Sequence, residues 1–198
     1  MRIDGSAAAG AIDGGFPDMI FYPLALVGAY RITLQPASDE RGSFTRRFCA
    51  DTFRAQGLEG DFVQRSVSFN LRAGTLRGMH FQAPPHLEVK LVRCARGAVF
   101  DVIVDLRQNS ATYGQWHGEE LTADNRMMLY VPKGFAHGFQ TLVDDTEVDY
   151  EISPAYVPGA DRGFRFDDPS LGIAWPVEAA IMSDRDKSLP ASHHGIWL

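Results

Sequence analysis

Gly97-Ala98-Val99-Phe100-Asp101-Val102-Ile103-Val104-Asp105-Leu106 is the stretch on which the fold turns. Phe100, Val102, Val104 and Leu106 share one face at the two-residue period of a strand, and Asp101 and Asp105 fall on the other. Outward from it, further strand-like runs occupy Tyr30–Leu34, Ser43–Phe48, Phe62–Phe69, Thr75–Gln82, Glu88–Arg93, Trp116–Leu121, Met127–Val131, His137–Leu142 and Glu147–Ile152. Turn residues separate most of them. One short helix is expected at Asp51–Gln56, and no long helical period, internal repeat or linker interrupts the series. Many short antiparallel strands around one core predict an all-β jelly-roll barrel or sandwich with a few short helices. From Pro154 the chain is rich in Pro, Gly and Asp and is expected to wrap the barrel.

A chain of 198 residues suits one domain with a full hydrophobic core. That domain is expected over residues 19–198, after a flexible leader at 1–18. The leader holds Gly5-Ser6-Ala7-Ala8-Ala9-Gly10 and Gly14-Gly15, without the basic start and unbroken apolar run of a signal peptide. A net charge of -6 argues against a nucleic-acid backbone as main partner, but leaves room for one anion held by local arginines. Cys49 and Cys94 are too few and too far apart for a disulfide framework or a zinc motif, so they read as reduced thiols of a cytoplasmic protein. No stretch approaches the length of a membrane span.

Candidate chemistry begins at Leu76-Arg77-Gly78-Met79-His80-Phe81-Gln82. Histidine takes and returns protons near neutral pH, and arginine offers a fork of donors to phosphate oxygens. In a regular strand Arg77 and His80 point to opposite faces, and a bulge at Gly78 would aim both inward. After the Pro84-Pro85 turn, Glu88, Lys90 and Val92 share a face. Lys90 either pairs inward or snorkels to solvent, the solvated state being the default. Tyr150 shares the face of Val148 and Ile152, expected to point inward, where a phenol can give a proton to a carbanion. The acidic turns of the tail, Asp167-Asp168-Pro169 and Ser183-Asp184-Arg185-Asp186, include carboxylates able to orient a histidine.

Pro132-Lys133-Gly134-Phe135-Ala136-His137 has the spacing Pro-x-Gly-x-x-His, which resembles the second motif of the cupin superfamily, where a strand histidine points into the barrel. A cupin metal centre also needs two histidines one residue apart, usually with a glutamate. Here His80 and His86 are separated by a segment containing Pro84-Pro85, so the set His80, His86, Glu88 and His137 departs from that geometry. No metal and no other cofactor is expected.

These segments, with Asp39-Glu40-Arg41-Gly42-Ser43-Phe44 and Lys90-Leu91-Val92-Arg93, resemble the dTDP-4-dehydrorhamnose 3,5-epimerase family from about Tyr22 to Pro190. The resemblance implies a cupin-like jelly roll that epimerises a nucleotide-linked 4-keto-6-deoxyhexose at C5, C3 or both, in deoxysugar (rhamnose-type) biosynthesis. It implies His80 as the base, Asp186 as its partner, Tyr150 as the acid on the opposite face and Lys90 beside the keto oxygen. Arg41, Arg77 and His137 match residues near the diphosphate and sugar, and Gln64 a nucleotide contact. It implies a homodimer in which Arg41 enters the partner's site. Arg46 stands where the family usually has glutamate, and Arg65-Ser66-Val67-Ser68 where it commonly has Asp-Asn-His-Ser. Arg46 and Ser66 thus bear on the nucleotide end, which leaves CDP or another carrier open beside dTDP. The rival readings are a metal-dependent cupin oxygenase or isomerase, and a non-catalytic sugar-nucleotide binding module.

Overall fold

The computed structural model describes residues 19–191, so the expected leader at 1–18 lies outside the described residues. A six-stranded sheet runs β1 (Met19–Pro23), β2 (Tyr30–Leu34), β10 (Met128–Val131), β7 (Val89–Arg96), β12 (Thr146–Ser153), β5 (Gln64–Asn70). A five-stranded sheet runs β13 (Asp161–Gly163), β6 (Leu76–Gln82), β11 (Phe135–Thr141), β8 (Ala98–Asp105), β9 (Trp116–Thr122). β3 (Ala37–Asp39) and β4 (Gly42–Phe44) form a separate hairpin. The helices are short: α1 (Ala50–Ala55) and α2 (Asp184–Lys187). Neighbouring strands are antiparallel throughout both sheets. This is the all-β jelly roll that the strand pattern predicts.

Period-two alternation sets the layers. On β7, Val92 and Cys94 enter the layer between the sheets, while Val89 and Leu91 face the outside of the six-stranded sheet. The inner layer packs Val92, Val99, Ile103, Leu129, Val131, Phe139 and Val148. Outside the six-stranded sheet, Phe53 of α1 packs with Ile32, Leu91 and Met128. Outside the five-stranded sheet, the tail lays Phe164, Leu171, Ile173 and Trp175 over Val102, Val104 and Leu106. The tail therefore wraps the barrel, and this is why both faces of β8 are buried.

One expectation is corrected. The Ser43–Phe48 run stops being strand at Phe44, because the next residues lie on the outer layer. Phe48 packs against Phe53 and Phe62 with ring centroids 4.9 and 5.4 Å away, and Arg47 reaches Glu151 at 3.2 Å. The aspartates of β8 are fully buried. Burial alone would raise the Asp105 pKa, but Arg107, Ser110 and Thr112 donate to its carboxylate and bring it to about 2.

Candidate active site

The inner layer turns polar at one end and opens into a cavity of about 710 Å³. Across β6 and β11, His80 lies opposite His137 and Arg77 opposite Phe139, so Gly78 and Met79 together face Gly138 alone. Two residues against one make a bulge, and it brings Arg77 and His80, three positions apart, to the same cavity. The backbones approach so closely that both sides must be glycine. A Cβ on Gly78 would lie 2.6 Å from Gly138 Cα, and one on Gly138 would lie 2.8 Å from the Arg77 carbonyl oxygen. Gly78 also has φ +137°, which side-chain-bearing residues rarely adopt.

His80 Nε2 donates to Asp186 Oδ1 at 2.8 Å. Asp186 sits in the first turn of α2, where the Ser183 side chain accepts from its backbone N–H at 3.1 Å. Its Oδ2 accepts from the Gly78 N–H at 3.3 Å. Burial alone would raise the Asp186 pKa; the hydrogen bond and charge of His80, with the Gly78 and Ser183 contacts, outweigh it and lower it. The carboxylate thus stays ionised beside the imidazole.

Tyr150 reaches the same cavity from β12, in the other sheet. Its ring meets His137 edge-on, with centroids 5.9 Å apart at 82°. Burial, and then the Asp101 charge, push the phenol well above the usual tyrosine range, against a smaller pull from Arg77. His137 in turn donates from Nε2 to Asp101 Oδ2 at 2.9 Å. Lys90 is not solvated: its Nζ lies 2.9 Å from Glu88 Oε1, inside the cavity. Arg77 donates from Nε to Asn70 Oδ1 at 2.7 Å.

The cavity therefore gathers His80, Asp186, Tyr150, Lys90, Arg77, His137 and Ser66. Arg41, Gln64 and Arg46 do not line it. Arg41 lies in the β3–β4 turn, paired with Asp39 at 2.6 Å. Gln64 opens β5 at the rim, where its side-chain oxygen accepts from the Tyr156 N–H. Arg46 lies on the segment that runs along the outside of the six-stranded sheet, between Phe44 and Phe48. Sequence reasoning overlooked Gln82, Asp101, Tyr156, Asp161 and Arg185. For Asp101 the signal is a carboxylate within an apolar strand. For Asp161 there is none, since a three-residue strand has no period to read. Among the described residues, no group of three or more His, Cys, Asp or Glu side chains is placed to hold a metal ion.

The chain is similar to known proteins along most of its length. Residues 23–193 match the dTDP-4-dehydrorhamnose 3,5-epimerase family. A dTDP-4-dehydrorhamnose 3,5-epimerase of Sinorhizobium fredii is 42% identical over 175 residues, covering 88% of this chain and 90% of its own. A dTDP-4-dehydrorhamnose 3-epimerase of Streptomyces niveus is 39% identical over 166 residues, covering 83% of this chain and 80% of its own. The crystal structure of the 3,5-epimerase from Bacillus anthracis, with TDP and pyrophosphate bound, superposes with a TM-score of 0.84. It is 42% identical and covers 87% of this chain and 99% of its own. Agreement at this level along nearly the whole chain, in sequence and in backbone, makes it a member of the dTDP-4-dehydrorhamnose 3,5-epimerase family and an epimerase.

Proposed function

We propose that the cavity inverts one or both of the ring carbons flanking the ketone of a dTDP-linked 4-keto-6-deoxyhexose, using neither metal nor redox cofactor, in deoxysugar biosynthesis. The observation that carries this reading is the placement of His80 and Tyr150 on opposite sheets, facing one cavity. A proton next to a ketone is acidic only because the carbanion spreads onto oxygen as an enolate. A site must therefore offer a base, positive charge at that oxygen and a proton donor on the other face. With Nε2 held by Asp186, Nδ1 of His80 is left to take the proton, and Asp186 steadies the imidazolium that forms. Lys90 supplies charge at the enolate oxygen. Tyr150, held protonated by its surroundings, returns a proton to the opposite face. Removal on one face and return on the other inverts the carbon.

Arg77 is the diphosphate ligand in this reading, with His137 and Ser66 contacting the substrate on either side. The nucleoside lies at the rim, where Gln64 accepts from the backbone N–H of Tyr156, whose side chain is exposed. Relatives named as 3,5- and 3-epimerases share this scaffold. The choice of carbon then depends on how the sugar sits, not on a different proton machinery. The active assembly is a twofold dimer. The Arg41 side chain is 85% exposed and Phe44 beside it 79%, which suits a hairpin that reaches into a partner's cavity. The cytoplasm is the compartment in which Cys49 and Cys94 remain thiols.

Proton NMR of dTDP-4-keto-6-deoxyglucose in heavy water tests the chemistry. Deuterium should enter beside the ketone as the carbon inverts, and His80→Asn should abolish both. Exchange in His80→Asn at the parent rate would place the base elsewhere.

A further inference from the structure

We propose that Glu88 is a positioning residue for this reaction, holding Lys90 charged and aimed at the keto oxygen. This rests on the role given to Lys90 above. Both side chains are nearly buried, Lys90 12% and Glu88 9% exposed, and Nζ lies 2.9 Å from Oε1. A lysine stem is flexible, and an ammonium taken from water without a counter-charge tends to lose its proton. Glu88 answers both problems, and it is itself held. Its Oε2 accepts from Gln82 Nε2 at 3.1 Å, and Gln82 Oε1 accepts from the Val157 N–H at 2.9 Å. Gln82 is buried at the end of β6, so the backbone after β12 fixes the amide, the amide fixes the carboxylate, and the carboxylate fixes the ammonium.

Among the described residues, no other carboxylate in the cavity is placed to do this. Asp186 is taken up by His80, and Asp161 by Arg185 and Tyr156. Lys90's cross-strand neighbours are apolar, Val131 on β10 and Ile152 on β12. The other ionisable groups lining the cavity include Tyr150 from β12, His137 from β11, and His80 and Arg77 from β6, and none of these is a carboxylate. Glu88 is therefore the counter-ion beside the Lys90 ammonium.

The test is steady-state kinetics of Glu88→Gln, Glu88→Asp, Lys90→Ala and the Glu88→Gln/Lys90→Ala double variant. Glu88→Gln should lose about tenfold or more in kcat with little change in KM, because aim matters in the transition state. Glu88→Asp keeps the charge, so it should recover part of the rate. In the Lys90→Ala background, Glu88→Gln should cost nothing further. Parent kcat in Glu88→Gln, while Lys90→Ala is crippled, would overturn this inference alone. So would a Glu88→Asp enzyme no faster than Glu88→Gln. An unimpaired Lys90→Ala would bring down the role of Lys90, and that of Glu88 with it.

Discussion

At the scale of single residues, the two halves of the proposed proton transfer are separable because His80 and Tyr150 hang from different strands. Tyr150→Phe removes a hydroxyl and leaves His80 and Asp186 paired. The carbanion should still form and be reprotonated from its original face. Deuterium uptake without net inversion, followed by NMR in heavy water, is the expected outcome. A Tyr150→Phe enzyme that inverts normally would make another group the acid. Asp186→Asn should be milder than His80→Asn, with a loss of about a hundredfold in kcat, since the imidazole stays but its orienting charge goes. Single-turnover rates of the two variants side by side check that order.

At the scale of elements, the bulge in β6 decides whether the site exists. Gly138→Ala pushes a methyl against the Arg77 carbonyl oxygen and the Met79 sulfur. It should cost about 1–3 kcal/mol in urea unfolding, as overpacking does. It should also lower kcat/KM more than a loss of stability explains, because the register that aims Arg77 and His80 is the one disturbed. A Gly138→Ala enzyme with parent kinetics would show that the bulge tolerates a side chain. Much at this scale was legible in the sequence. Alternation in Val148, Tyr150 and Ile152 placed the strand of Tyr150, and Gly78 marked the irregularity in the strand of His80. What stayed illegible is held by long-range pairing. β13 is three residues kept in place by β6, and α2 is one turn kept in place by a cap and a histidine. Asp186 came from resemblance to a family, since an acidic turn carries no sign of the partner it will meet. Periodicity alone left Lys90 either paired inward or solvated, because its carboxylate, two residues away, reads from the pattern as an ordinary polar neighbour.

At the scale of the whole molecule, the proposed dimer gives Arg41 a role in trans. Arg41→Ala and His80→Asn subunits should each be inactive or nearly so as homodimers. Mixed, dissociated and reassociated in equal amounts, they should form heterodimers with one intact cavity, restoring about a quarter of the parent sites by random pairing. Activity that stays at the level of the unmixed variants would place Arg41 in its own subunit's chemistry or outside it. Sequence could not order the strands into sheets, and so could not show that His80 and Tyr150 reach one cavity from opposite sheets. That arrangement has a mechanical side. The two groups are jaws of a caliper whose opening is set by Val92, Ile103, Leu129 and Val148, the hydrocarbon spacer between the sheets. A methyl group trimmed from that spacer changes the jaw gap without touching either jaw, so the stereochemical result becomes partly a matter of thickness.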